Sequence, residues 1–335
     1  MLEKLRYLVL NTPSSPQGHI DIVKKLKQWS QSAGNALFSY TPLSSKFVER
    51  ELADGQKKES GTSETTRNNT ENIKNISIHV PTHLKPLNNK QFGHYLAGLI
   101  DGDGHFSSKQ QLIIVFNSPD IQLAYYIKKI IGFGQVKKVK DKNAYLFIIS
   151  NKEGIIRTIN LINGKLRTFN KFNQVINNIL THSRYSNENI EFKINISNDF
   201  NNHWIAGFSD ADASFQIKIV NRVNIPVTLI RKPEIRLNFQ IDQKDNNILL
   251  QIKEVFGGNI GYRKNQDTYY YGSTSFGSAK KVINYFDNFH LQSTKYNNYL
   301  KWRKAYIMIQ EKHHLTEIGI NKILQLKNSM NRNSV

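Results

Sequence analysis

The chain has no cysteine in 335 residues, which excludes disulfide frameworks, thiolate metal sites and cysteine nucleophiles. No apolar run approaches the roughly 18 residues that a membrane span needs. The opening stretch MLEKLRYLVLNTPSS has too short an apolar segment and no cleavage pattern for a signal peptide, so a soluble, unsecreted protein with no membrane partner is expected. Acidic residues are also short: 26 Asp and Glu face 46 Lys and Arg, leaving a formal charge of +20. An excess of this size selects a polyanionic partner through phosphate neutralisation and counterion release, and nucleic acid is the first candidate. Hydrophobic residues make up 39% of the chain, low for one that is compact throughout, so a folded majority with a loose segment is expected. Abundant Asn, Ile and Lys fit coding DNA rich in A and T, which points to an organellar genome, mitochondrial first and chloroplast second.

Residues 1–50 hold one short helical pattern, IDIVKKLKQWSQSAG (20–34), and no readable role. Residues 51–75 carry almost no large apolar side chains to offset the entropy of ordering. The stretch 51–90 is therefore read as a linker, disordered first and extended from residue 76, where Pro81 and Pro86 intervene.

From residue 91 the chain repeats itself. FGHYLAGLIDGDGHF (92–106) is answered by NHWIAGFSDADASF (202–215), DIQLAYYIKKIIGFG (120–134) by DNNILLQIKEVFGGN (245–259), and KLRTFNKFNQVINNIL (165–180) by HLQSTKYNNYLKWRKA (290–305), with Lys171 opposite Lys295. The order predicts two half-domains, 91–185 and 196–315, then a tail at 316–335. The second half carries extra residues near 221–233. Each half reads as helix, strands, helix, strands, helix. In SFQIKIV (214–220) and RLNFQID (236–242) apolar residues alternate with polar ones, the pattern of half-buried strands with one polar face.

Gly98 and Gly102 share one helix face, and Gly207 and Ala211 hold the matching places, so two such helices can approach backbone to backbone. Asp103 and Asp212 then fall at the C-terminal ends of these helices, where the macrodipole is already negative. Two carboxylates brought together there repel unless protonated or bridged by cations, and hard oxygen ligands suit magnesium or another divalent ion such as manganese.

LAGLIDGDG (96–104) differs at one letter from the signature LAGLIDADG, and IAGFSDADA (205–213) looks like a second copy; the chain therefore resembles the two-motif, intron-encoded LAGLIDADG homing endonucleases over about residues 91–310. The resemblance implies an α+β fold of two pseudo-symmetric αββαββα halves, with the signature helices packed together and antiparallel sheets forming a saddle over DNA. It implies metal-binding roles for Asp103 and Asp212, structural or capping roles for Asp101 and Asp210, flanking basic roles for Lys295 and Lys171, and a water-holding polar role for Gln243. It also implies site-specific double-strand cleavage of a long, near-palindromic or asymmetric DNA site by a monomer. Gln216, Lys218, Arg236, Asn238 and Gln240 would read base edges in the major groove. Because some members of the family assist splicing, the alternative is an RNA maturase acting on its host intron, alone or in addition; a DNA-binding regulator without catalysis ranks third. The sequence departs from the family at Ala213, where glycine is usual. A positive φ at that helix-ending position would cost a Cβ on the order of 1 kcal/mol.

Overall fold

The computed structural model describes residues 75–220 and 233–330, all within one compact unit, Lys74–Val335. The helical pattern at 20–34, the linker residues 51–74 and the extra segment at 221–232 lie outside the described residues.

The first half runs α1 (Asn89–Asp103), β1 (Gly104–Ser107), β2 (Gln111–Asn117), α2 (Ile121–Ile131), β3 (Gln135–Lys138), β4 (Ala144–Ile149), α3 (Lys152–Ile162) and α4 (Phe169–Val175). The second runs α5 (Trp204–Asp212), β5 (Ala213–Val220), β6 (Glu234–Gln243), α6 (Asn247–Phe256), β7 (Asn259–Arg263), β8 (Thr268–Ser273), α7 (Phe276–Asn288), α8 (Lys295–Gln310) and α9 (Glu317–Met330). Each half contains the expected αββαββα order, and each sheet is antiparallel with the same topology, β1-β2-β4-β3 and β5-β6-β8-β7. The residues read as a tail form a helix instead: α9 buries Ile323 and Met330.

The two signature helices, α1 and α5, are buried along nearly their whole length. Their contact is backbone on backbone: a Cβ added at Gly98 would stand 2.0 Å from the Trp204 carbonyl oxygen, and one at Gly207 would stand 1.9 Å from that of Tyr95. The small-residue pattern thus sets the helix spacing. Behind the sheets, apolar faces of the flanking helices close the core; in the second half Phe215, Phe239, Phe286 and Trp302 pack ring to ring.

Two straps fix the halves. Residues before α1 lie along the second half: Ile76 exchanges two hydrogen bonds with Gln310, and the Arg303 guanidinium donates to the carbonyls of Ser77 and His79 while pairing with Asp287. The connector between halves is held by Arg167, which donates to the carbonyls of Ser197 and Asp199 and lies 3.9 Å over the Phe200 ring.

The concern at Ala213 does not materialise. Ala213 has φ −87° and Gly104 has φ −76°, so both helices pass directly into extended strand. Glycine is required at 104 for packing, because a Cβ there would stand 2.8 Å from Ile100 Cγ2. The residue matching Ile100 in the second half is Ser209, and Ala213 is accommodated there with its side chain buried.

Candidate metal centre and nucleic-acid interface

Asp103 and Asp212 end α1 and α5 on the same side of the helix pair. The Asp212 carboxylate lies against Gly102, where a Cβ would stand 2.7 Å from its Oδ2. The missing side chain at Gly102 therefore opens the space through which Asp212 reaches the residue beside Asp103. Gln243, the last residue of β6, donates its amide to Asp212 Oδ2 at 2.7 Å. Lys295, the first residue of α8, donates its ammonium to the carbonyls of Ser209 (3.1 Å) and Ala211 (2.7 Å), which places a cation at the C-terminal end of α5. Three sequence candidates, Asp212, Gln243 and Lys295, are thus brought together.

The preceding acids do separate work. Asp101 accepts from the backbone N–H groups of Arg167 and Thr168, from the Thr168 hydroxyl and from Trp204 Nε1. Asp210 accepts from the N–H groups of Gln292 and Ser293, from the Ser293 hydroxyl and from the Tyr95 hydroxyl. Each acid therefore caps the entry to α4 or α8 in its own half and takes one donor from the opposite signature helix. Burial raises the pKa of Asp101 to about 6, with its hydrogen bonds pulling the other way, and burial likewise raises that of Asp210.

These hydrogen bonds fix which residues of the two halves correspond. Thr168 matches Ser293, so Asn170, not Lys171, takes the place of Lys295. The pairing of the two lysines in the sequence is one residue out, and one residue on a helix is about 100° of rotation. Lys171 lies near His105 instead, and burial first, then the Lys171 charge, lowers the His105 pKa. The strand register is also explicit. Gly104 pairs with Ile114 and Ala213 with Ile241, so the first-half counterpart of Gln243 is Phe116, a buried residue.

On the second sheet, the side turned from the core carries Ser214, Gln216, Lys218, Arg236, Asn238, Gln240 and Asp242. Several of these form one hydrogen-bonded chain. Gln216 donates to Ser214, Asn238 to Gln216 and Gln240, Gln240 to Asp242, and Arg263 pairs with Asp242 at 2.8 Å while lying over the Tyr270 ring. Asn238 is only 2% exposed, so it fixes the two glutamines rather than presenting its own edge. Arg236 is paired with Glu234, and Lys218 is exposed. Sequence reasoning missed Asp242 and Arg263, and set Tyr270 aside with its neighbours as packing. The period-two pattern through 242 flags the first, while Tyr270 required knowing that Tyr269 packs on the core and Tyr271 is buried.

A divalent cation here would be held by the carboxylates of Asp103 and Asp212, which end the two packed helices. Among the described residues no cluster of three or more His, Cys, Asp or Glu is placed to hold one. Two hard oxygen donors match a magnesium-like ion, which is commonly held by one or two carboxylates with substrate phosphates and water completing its shell.

Two halves of one sheet topology, each with a buried central helix ending in an aspartate, define a duplicated α+β protein built around a helix pair. The profile described as "LAGLIDADG endonuclease" matches residues 96–177 and 205–306, and the chain belongs to that family. It is 62% identical over 306 residues to the uncharacterized cox1 intron-2 37.2 kDa protein of Schizosaccharomyces pombe, covering 91% of this chain and 86% of that one. It is 28% identical over 298 residues to the intron-encoded DNA endonuclease aI3 of Saccharomyces cerevisiae (73% and 69% covered). It is also 31% identical over 230 residues to the intron-encoded RNA maturase bI4 of the same yeast, spanning 62% of this chain and about a third of that one, 33%. Among solved structures, I-LtrWI bound to target DNA shares the fold with TM-score 0.58 and 23% identity, over 74% of this chain and all of that one (100%).

Proposed function

We propose that this protein is a site-specific endonuclease that cuts both strands of a long DNA site, with a divalent cation, magnesium by preference, between Asp103 and Asp212. The observation that carries this reading is the reach of the Asp212 carboxylate across the helix contact into the space left by Gly102, next to Asp103. Such a cation supplies charge neutralisation at the scissile phosphate and lowers the pKa of a water. The chain's own groups do the rest. Gln243 holds the Asp212 carboxylate in one orientation through its 2.7 Å hydrogen bond. Lys295 adds a positive charge beside the phosphate that gathers negative charge, and Lys171 with His105 stands on the first-half side. The two sheet faces lie over the major groove on either side. One chain carries both acids, so a monomer suffices. The cox1-intron name of the S. pombe relative supports a gene in a mitochondrial intron.

The test is cleavage of a duplex spanning the intron-less host junction, with magnesium and with chelator, by the native protein, Asp103→Asn and Asp212→Asn. Double-strand cutting by the native protein alone, abolished by chelation, is expected. Absence of cutting with tight binding to the intron RNA would move the reading to the maturase, which the resemblance to bI4 favours.

A further inference from the structure

The two sheet faces that the proposed function lays on DNA differ in chemistry. In the first half, the residues turned from the core include, beside the polar pair Ser107 and Gln111, two rows across the strands: His105, Ile113, Ile148 and Gln135, then Val115, Leu146 and Lys137. The matching rows of the second half read Ser214, Gln240, Gly272 and Asn259, then Asp242, Tyr270 and Gly261. Where the second half presents a hydrogen-bonded polar chain, the first presents four adjoining aliphatic side chains. Ile113, Val115, Leu146 and Ile148 are half-buried, and none is among the residues of the core or packed against it. Strand β3 places exposed Lys137 at the side of this patch, with Lys138 and Lys140 following, and exposed Lys109 stands at the β1–β2 turn. The apolar centre is thus rimmed by cations that suit a phosphate backbone.

An aliphatic surface pressed into the major groove can satisfy no donor or acceptor, and desolvating a base edge against it is costly. The one apolar group on unmodified base edges there is the thymine C5-methyl. We propose, resting on the DNA-cleaving reading above, that the first half recognises its half-site through thymine methyl groups packed against Ile113, Val115, Leu146 and Ile148. The second half reads its own half-site by hydrogen bonds. The full site is therefore chemically asymmetric, with methyl readout confined to one side.

The experiment replaces thymine by deoxyuridine, which removes only the methyl, in one half of the intron-less junction duplex at a time. Binding and cleavage by the native protein and by Ile113→Gln are measured on each duplex. The expected result is a loss of affinity of about fourfold per contacted methyl in one half only, with Ile113→Gln binding the thymine duplex more weakly and losing part of that sensitivity. Equal tolerance of deoxyuridine in both halves, with the thymine duplex still cut, overturns the methyl readout and leaves the endonuclease intact. Failure to bind or cut the thymine duplex overturns both.

Discussion

Tyr95 of the first signature helix donates its hydroxyl to Asp210 of the second at 2.7 Å, and the symmetry-related Trp204 returns the bond to Asp101 at 2.9 Å. These two acids, each two residues before the end of its signature helix, therefore latch the halves together while capping the helices that follow. Through Asp210 the latch reaches Ser293 and so the start of α8, where Lys295 stands. Removal of one hydroxyl by Tyr95→Phe leaves a buried carboxylate oxygen with two donors instead of three, and a loss of about 2 kcal/mol is expected in chemical unfolding.

The two caps differ in how they tolerate an amide. In Asp101→Asn the new NH2 group faces a backbone N–H whichever way it turns, Thr168 on one side and Arg167 on the other. In Asp210→Asn it can face the Ser293 hydroxyl, which rotates to accept. Asp101→Asn should therefore cost about 3 kcal/mol or more and Asp210→Asn nearer 1, since an orphaned buried donor carries its full desolvation penalty. Equal costs in parallel denaturant titrations would refute this assignment of donors.

Gly98→Ala should damage the protein more than any change at a surface glycine. Its methyl would fall 2.0 Å from a carbonyl oxygen of the facing helix, where no side chain can give way. A cost of about 3 kcal/mol or more is expected, with loss of cleavage because Asp103 and Asp212 move apart. Gly277→Ala is the counterpart: nothing lies within 4 Å of the added methyl, in the first turn of α7. A gain of up to about 1 kcal/mol is expected there. Melting curves of the two variants check both.

The pairing of α1 with α5 was legible because the small residues at 98, 102, 207 and 211 repeat at helical spacing, and small residues act through what they lack. The structural or capping role of Asp101 and Asp210 was legible through the resemblance of the two motifs to the family signature. The match of Lys171 to Lys295 failed because letter identity favoured a register that hydrogen bonding does not: the hydroxyls of Thr168 and Ser293 donate to equivalent acids. The first-half sheet face was hidden because QLIIVF (111–116) is apolar on both sides, so no alternation marked which residues turn outward. Helix α9 was missed because its polar face dominates and only Gly319, Ile323 and Met330 are buried.

Two histidines make stability fall with acid. Burial, the leading cause, depresses the pKa of His203 and of His94 from 6.5 to about 4, so both are neutral in the folded chain, whereas the unfolded chain binds protons from about 6.5 downward. Their contribution is complete above pH 6.5 and is lost as pH falls toward 4. Asp101 works in the opposite direction, since its raised pKa adds stability as pH falls from about 6 toward 3.8. Unfolding free energy should therefore drop first between pH 7 and 6, before the carboxylate offsets it, and His203→Gln should flatten that part of the profile.

The two halves should cut their strands at unequal rates. Beside Asp212 stand Gln243 and Lys295; in the equivalent positions of the first half stand Phe116 and Asn170. A phenyl ring can neither orient a carboxylate nor hold a water, and a neutral amide offers the phosphate no positive charge. With each strand separately end-labelled, a nicked intermediate should accumulate, always in the same strand. Gln243→Leu should slow that first nick by about 10- to 100-fold, the loss of one oriented hydrogen bond, so that the nicked intermediate fades. Equal strand rates in the native protein would mean that Lys171 and His105 make up what Phe116 and Asn170 lack.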